Sequence, residues 1–483
     1  MSDNLGTNPG AGTRMEGAGK LKKSLRLLYV YALATGAILT FIGYWDGIFL
    51  TGAGPATFLS FFLMTLMVLP VAFVYCELTA MFPNTGAELV FNTIGLNKYW
   101  GFLSAWAIMA AWIAVPPAAV MGILEWINYA FRLEMNFSTI VTIATIVLIL
   151  YTALSLSDIN LSGQIQTFML FSALFGVTLT GIIFLFSGHW SFANFTPFFQ
   201  SAHAGGGSAG TGGIAGWIIG TALIVTPFFG FETVPQLVEE GDFPIKDTSK
   251  AILGSVLTCG ALYVFFFFAL AGMGDWATLT EAGTNAPFVA IKVIESTLGW
   301  YGYSIFFGVT AVLFTIGTCI LGFWISTVRL MYAMGRQGFL PKVFSKVNKH
   351  QQPIVPNLVV LGLSLGAIFI MNAGTYLEDF FTVMALSVAI AYTITMFSST
   401  RIAINHPEWD RPYILKGGQG FRWFAFFIAI GIAILCAIGL PIGAWISWGW
   451  YMGIGVLLIA FMAAFRWKKE PVWMVTPDGE KEF

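Results

Sequence analysis

Charge is what this sequence has least of. Only 10% of its 483 residues are Asp, Glu, Lys or Arg, and 57% are hydrophobic; a typical soluble domain carries about 25% charged residues. So few polar groups cannot cover a water-facing globule of this size. A net charge of −1 offers no basic excess for a nucleic-acid partner. Cysteine is scarce too. Cys76, Cys259, Cys319 and Cys436 each fall inside a hydrophobic stretch, with no C-x-x-C pair and no disulfide framework. The four histidines, His189, His203, His350 and His406, lie in loops without metal spacing. No nucleophile elbow or paired catalytic motif accompanies them, so neither an enzyme nor a resident cofactor is expected.

What is abundant is long apolar runs. A helix crossing ~30 Å of hydrocarbon needs about 20 residues, and twelve stretches qualify: 27–50, 56–81, 99–130, 138–156, 161–187, 213–237, 250–273, 300–333, 357–372, 379–404, 421–441 and 447–466. None shows the sustained alternation of a barrel strand. The expectation is an all-α membrane protein with lipid around it and little outside the bilayer. Residues 1–20 read as a disordered tail without a cleavable signal. Five spans occupy 21–190, a Gly-rich loop 191–212, and five more spans 213–404. Spans 11 and 12 fill 405–466, and 467–483 is a second tail. With both tails cytoplasmic, every Lys and Arg except Arg132 and Lys292 lies inside, the bias expected of a cytoplasmic-membrane protein with an even number of spans. An odd number of spans per half turns the second half upside down, which is the plan of an inverted repeat.

Two carboxylates stand out, because an ionised carboxylate near the bilayer centre costs ~2.5–3.5 kcal/mol on insertion scales. Asp46 lies in Gly43-Tyr44-Trp45-Asp46-Gly47, and Glu232 follows Pro227-Phe228-Phe229-Gly230-Phe231. The first and sixth spans open the two halves, and each is interrupted by glycine there. Such paired breaks point to the binding site of a secondary transporter. Asp46 faces the pocket and favours a cationic amine, caps the half-helix that follows it, or does both. Glu232 contacts the substrate amine, relays a proton, or pairs structurally. Gly43, Gly47 and Gly230 would supply unwound backbone, with Ile48 beside them. Tyr44, Trp45, Phe228, Phe229 and Phe231 either cage an ammonium group or simply pack.

Milder polar groups complete the inventory. Thr315 and Thr318 in span 8 are candidate ligands for Na⁺ together with freed carbonyls of span 1, although a helical Thr usually bonds its own backbone. Glu77, near the inner end of span 2, suits an interfacial ion pair. Span 5 has no Lys to serve a proton relay.

Three blocks together resemble the amino acid–polyamine–organocation permeases. Phe82-Pro83-Asn84-Thr85-Gly86-Ala87-Glu88 is similar to that family's F-P-x-[ST]-G-G stretch, with Ala87 replacing a glycine. Phe229-Gly230-Phe231-Glu232 followed by Glu239-Glu240 matches its span 6 signature. The stretch from Arg329 to Pro341 is similar to R-x-x-x-A-x-x-R-D-G-x-x-P, with Gln337 in place of Asp. The resemblance implies a LeuT-type fold of five plus five spans with spans 1 and 6 broken, plus two more. It also implies a substrate held between spans 1 and 6, against spans 3, 8 and 10, and alternating access driven by exchange or a proton. The family's span 1 commonly reads G-S-G-I-F; here Trp45-Asp46-Gly47-Ile48-Phe49 stands there. Two unit charges at 4 Å repel by ~4 kcal/mol at an effective dielectric near 20. A substrate carboxylate would therefore be disfavoured beside Asp46.

The resulting expectation is a permease or antiporter for an amine, polyamine or cationic amino acid, coupled to H⁺ or Na⁺ and working as a monomer or homodimer. The alternative within the class is a zwitterionic amino acid exchanger with Asp46 outside the site. A transporter-like sensor is the reading from another class.

Overall fold

A computed structural model describes residues 21–40, 42–202, 213–281, 287–371, 376–438, 440 and 442–483. The expected tail at 1–20 and residues 203–212 of the Gly-rich loop lie outside them. The chain is helical almost throughout. Helix α1 spans Leu27–Ile38, α2 Asp46–Ala53, α3 Thr57–Met81, α4 Glu88–Gly95, α5 Lys98–Phe131, α6 Phe137–Ser155, α7 Ile159–Phe186 and α8 Gly213–Leu223. A 3-10 stretch, Phe231–Glu240, continues from α8. Then follow α9 (Thr248–Ala271), α10 (Trp276–Leu279), α11 (Val289–Ser296), α12 (Tyr301–Phe307), α13 (Thr315–Arg336), α14 (Ile354–Met371), α15 (Tyr376–Asn405), α16 (Gly418–Ile438) and α17 (Ile442–Phe465).

Among the described residues, ten helical segments are long and apolar enough to cross a membrane, and Leu27–Ile38 and Ile354–Phe369 are shorter apolar helices. Large side chains such as Phe175, Phe186, Trp450 and Leu457 are exposed on the outside of the bundle. An apolar exterior of this extent is stable only in lipid, where helices satisfy every backbone group internally. The chain is an integral membrane protein. The most apolar window of α5 is 89% buried and that of α17 only 11%, so α5 runs through the centre and α17 lies at the lipid edge.

Local sequence sets several helix ends. Asn97 accepts the N–H groups of Tyr99 and Trp100 at the start of α5, and Asn136 and Asp158 do the same for α6 and α7. Pro116 and Pro117 sit inside α5 without ending it. Between α12 and α13 the chain makes a π-helical stretch, Gly308–Phe314.

The expected tail at 467–483 carries regular structure. Trp473–Thr476 (β1) and Gly479–Glu482 (β2) pair as an antiparallel hairpin, with Trp473 opposite Glu482 and Thr476 opposite Gly479. The Trp473 N–H donates to the Gln337 carbonyl at 3.1 Å, just beyond the end of α13. A strand this short has no apolar run to announce it.

Candidate functional site

The first span is broken between Ile38, the last residue of α1, and Asp46, the first of α2. Gly43 lies in the break with φ +90°. The sixth is broken after Leu223, passes through a 3-10 turn at Thr226–Phe228 and resumes at Phe231. Gly230 at this second break has φ +142°, and a Cβ there would stand 2.8 Å from Ile38 Cγ1 and 2.9 Å from the Ile38 nitrogen. Only glycine satisfies both the dihedral and the clearance. The two breaks therefore touch. Gly47, expected to be part of the unwound backbone, is instead inside α2, as is Ile48. The break begins earlier because the helix ladder already stops at Ile38.

Glu232 is fully buried and spends its carboxylate on three donors. Oε2 accepts the Gly230 N–H at 2.8 Å and the Tyr392 hydroxyl at 2.9 Å, while Oε1 accepts the Trp112 indole N–H at 3.3 Å. One side chain thus fixes the break in the sixth span to α5 and α15. A second network continues from it. The Tyr75 hydroxyl donates to Glu88 at 2.8 Å, Gln236 Nε2 donates to the same carboxylate at 3.2 Å, and Gln236 Oε1 accepts the Gly86 N–H at 3.1 Å.

Asp46 is also fully buried, but it does not face the two breaks' contact as an open carboxylate. Oδ1 accepts the N–H groups of Gly47 at 3.1 Å and Val289 at 3.2 Å, and Oδ2 accepts that of Ala290 at 2.9 Å. Val289 and Ala290 open α11, so Asp46 caps a helix of the loop between α9 and α12. The sequence offered an amine contact, a cap or both; the N–H groups that the carboxylate accepts come from Gly47 of its own helix and from α11, 243 residues away. Nearby, the Tyr44 carbonyl accepts the Phe288 N–H at 3.3 Å.

The aromatic residues divide. The Tyr44 hydroxyl donates to Glu125 of α5, and its ring meets Trp45 at 4.3 Å and Phe288 at 5.2 Å. Phe229 and Phe231 pack on Tyr392 at 6.0 and 5.4 Å. Phe228 lies against Phe61 and Tyr263 instead. The candidate ion ligands bond carbonyls: Thr315 Oγ1 donates to Ala311 at 2.6 Å, and Thr318 Oγ1 to Thr315 at 2.6 Å and to Gly36 at 3.2 Å.

At the end of the bundle that carries the hairpin, the three motif blocks meet. Arg329 forks onto Glu240 at 2.9 and 3.0 Å, and Arg336 pairs with Glu239. Glu239 Oε1 also accepts the Thr85 N–H at 2.8 Å. The Glu240 carbonyl takes the N–H groups of Ser24 at 2.8 Å and Leu25 at 2.7 Å. This end is closed by ion pairs and by the segment before α1. Glu77 holds Arg422 at 2.5 Å, with Arg411 at 3.7 Å, as its position suggested.

Residues 25–459 match the family described as "Amino acid permease". The chain belongs to this family. Among its relatives, the methylthioribose transporter of Bacillus subtilis (strain 168) is 24% identical over 91% of this chain and 94% of its own length. The branched-chain amino acid permease BcaP of Lactococcus lactis subsp. cremoris (strain MG1363) is 26% identical over 69% of this chain and 74% of its own. Human cationic amino acid transporter 4 is 23% identical over 72% of this chain and 54% of its own. The resemblance read from the motifs therefore holds, and the protein is a transporter rather than an enzyme.

Sequence reasoning did not single out every residue bonded around the two breaks of this permease. Trp112 and Tyr392 sit in long apolar spans among many aromatics, and no local signal marks the two that reach Glu232. Glu125 was legible in principle, as a lone carboxylate within the third span.

Proposed function

We propose that this permease carries an amino acid across the cytoplasmic membrane by alternating access, as twelve spans arranged in two inverted halves plus two helices. The substrate sits where the two breaks meet, with its α-amino and α-carboxylate groups on unwound backbone near Gly43 and Gly230. The observation that carries this reading is the Gly230–Ile38 contact, supported by Glu232 drawing α5 and α15 to the same point. Charge distribution supports cytoplasmic termini.

The geometry of Asp46 favours the zwitterionic alternative over a bare amine. A carboxylate whose charge is partly offset by the N–H groups of Gly47, Val289 and Ala290 opposes a substrate carboxylate less than an open one would. Relatives whose names specify branched-chain and cationic amino acids agree with this substrate class.

Counterflow in proteoliposomes tests the proposal with labelled leucine, arginine and putrescine. Exchange of the amino acids but not of putrescine is expected. Glu232→Gln places an amide where three donors converge and should lower uptake about tenfold or more, the scale of a lost charge-assisted hydrogen bond. Putrescine exchange with both amino acids refused would overturn the substrate class.

A further inference from the structure

The outer wall of the bundle carries an apolar groove of about 280 Å³, lined by Leu96, Trp100, Thr393, Ile394, Phe397 and Phe426. Phe397 and Phe426 meet at 5.5 Å, and Trp423 closes the same side at 6.3 Å from Phe397. Thr393 adds no polarity, because its hydroxyl donates to the Ala389 carbonyl of its own helix at 2.9 Å. Trp100 lies at the start of α5, Phe397 near the end of α15 and Phe426 near the start of α16. Phe397 and Phe426 are each about two turns, or ~12 Å, from those helix ends, within the ~15 Å of hydrocarbon in one leaflet. The hairpin marks this end of the bundle, since Lys98 bonds the Phe483 carbonyl and Lys481 lies over Trp409.

Positive charge stands at the mouth of the groove. Arg401 follows Phe397 by one helical turn and Ile394 by two, so it shares their face of α15 and lies closer to the helix end. It is exposed, as is Lys416 in the turn before α16. Gln419 Nε2 donates to the Thr400 carbonyl at 3.3 Å, which brings that turn beside Arg401. Among the described residues neither cationic side chain has an ion pair or a hydrogen-bond partner. The neighbouring charges are already engaged. Arg411 and Arg422 share Glu77, and Glu408 pairs with His406, whose ring stacks on Trp409. Asp410 is the acidic side chain of this loop left to oppose two cations. Ile414, in the same loop, is 79% exposed, which suits contact with the bilayer surface rather than water.

We propose that this groove binds an anionic phospholipid of the leaflet at the hairpin end, with one acyl chain along Phe397 and Phe426 and the phosphate on Arg401 and Lys416. Charge complementarity names the occupant. Any lipid chain can fill the apolar part, but two unpaired cations beside it select a headgroup of net negative charge. Trp100 sits at the depth where indole rings favour the headgroup boundary. The site bears on the break in the sixth span through α15. Tyr392, whose hydroxyl donates to Glu232 at 2.9 Å, directly precedes Thr393. A lipid packed on this face therefore restrains the helix that holds Glu232. The substrate assignment plays no part in the inference.

The test is thermal unfolding of the purified full-length protein in dodecyl maltoside micelles, titrated with dioleoyl phosphatidylglycerol, dioleoyl phosphatidylcholine or glycerol phosphate. A ligand bound only to the native state raises its unfolding temperature. Phosphatidylglycerol should give a saturable upward shift, phosphatidylcholine a smaller one and glycerol phosphate none. Arg401→Ala/Lys416→Ala should bind phosphatidylglycerol about thirtyfold more weakly, the scale of two basic residues lost at a membrane surface. Ile394→Trp fills the groove and should abolish the response to both lipids; should it not fold, the charge variant decides. Lys349→Ala/Lys469→Ala removes the same charge from two exposed lysines elsewhere and should respond as the wild type does. Equal shifts with the two lipids overturn the proposal, and so does a shift of the same size with glycerol phosphate. So does an unchanged response in Arg401→Ala/Lys416→Ala or in a folded Ile394→Trp, or a matching loss in Lys349→Ala/Lys469→Ala.

Discussion

Arg329 and Glu240 form a two-pronged pair at 2.9 and 3.0 Å with neither side chain exposed, joining α13 to the end of the broken sixth span. Desolvating both charges is costly, so the pair adds little net stability, but removing one partner leaves a buried charge alone. Arg329→Met should therefore destabilise the protein by about 3–5 kcal/mol, and the double variant Arg329→Met/Glu240→Leu should recover most of that. Thermal melting of the three proteins checks this. A single variant as stable as wild type would show that the charge finds water there. The recovered double variant should still transport poorly, because a seal that forms and breaks in each cycle needs groups that water can re-solvate.

Asp46 acts as a cap between distant segments, which gives its variants a signature unlike that of a substrate ligand. Asp46→Ala removes the acceptor of three N–H groups; a lost cap alone costs ~0.5–2 kcal/mol. Asp46→Asn keeps one side-chain oxygen and should lie between Ala and wild type. Amide exchange at Val289 and Ala290 should quicken in the same order, while the ranking of amino acids as competitors stays unchanged. Selective loss of affinity for cationic substrates, with α11 still protected, would return Asp46 to the binding site.

The broken spans were legible because glycine, proline and a carboxylate in an apolar run are each costly in lipid and so carry meaning. Their exact position was not. Gly43 is in the break and Gly47 is not, because helix termination depends on Gly230 pressing against Ile38 from another span, a contact no local pattern encodes. The same distance effect hid the role of Asp46, two of whose three partners are 243 and 244 residues along the chain. Motif reading fared better with Arg329, Arg336, Glu239 and Glu240, which meet as ion pairs. Unlike charges buried in one protein have few other ways to be satisfied.

The C-terminal hairpin rests against the closed end of the bundle. The Trp473 N–H bonds the Gln337 carbonyl at 3.1 Å, Lys98 Nζ bonds the Phe483 carbonyl at 2.8 Å, and a Cβ on Gly338 would lie 2.9 Å from the Pro471 carbonyl. Gln337 directly follows Arg336, which holds Glu239. The hairpin therefore braces the residue beside an ion pair that closes this end. Truncation before Pro471 removes these contacts together with the buried side chains of Val472 and Met474 at the edge of the core, and the helical bundle should still fold. Amide exchange over residues 333–340 should become faster, in line with the local opening expected when a helix end loses its tertiary bonds. Exchange in α5 around Trp112, far along its helix from Lys98, should be unchanged. If 333–340 exchange as slowly as in the intact chain, the hairpin is a passive tail and the closure rests on the ion pairs and the segment before α1.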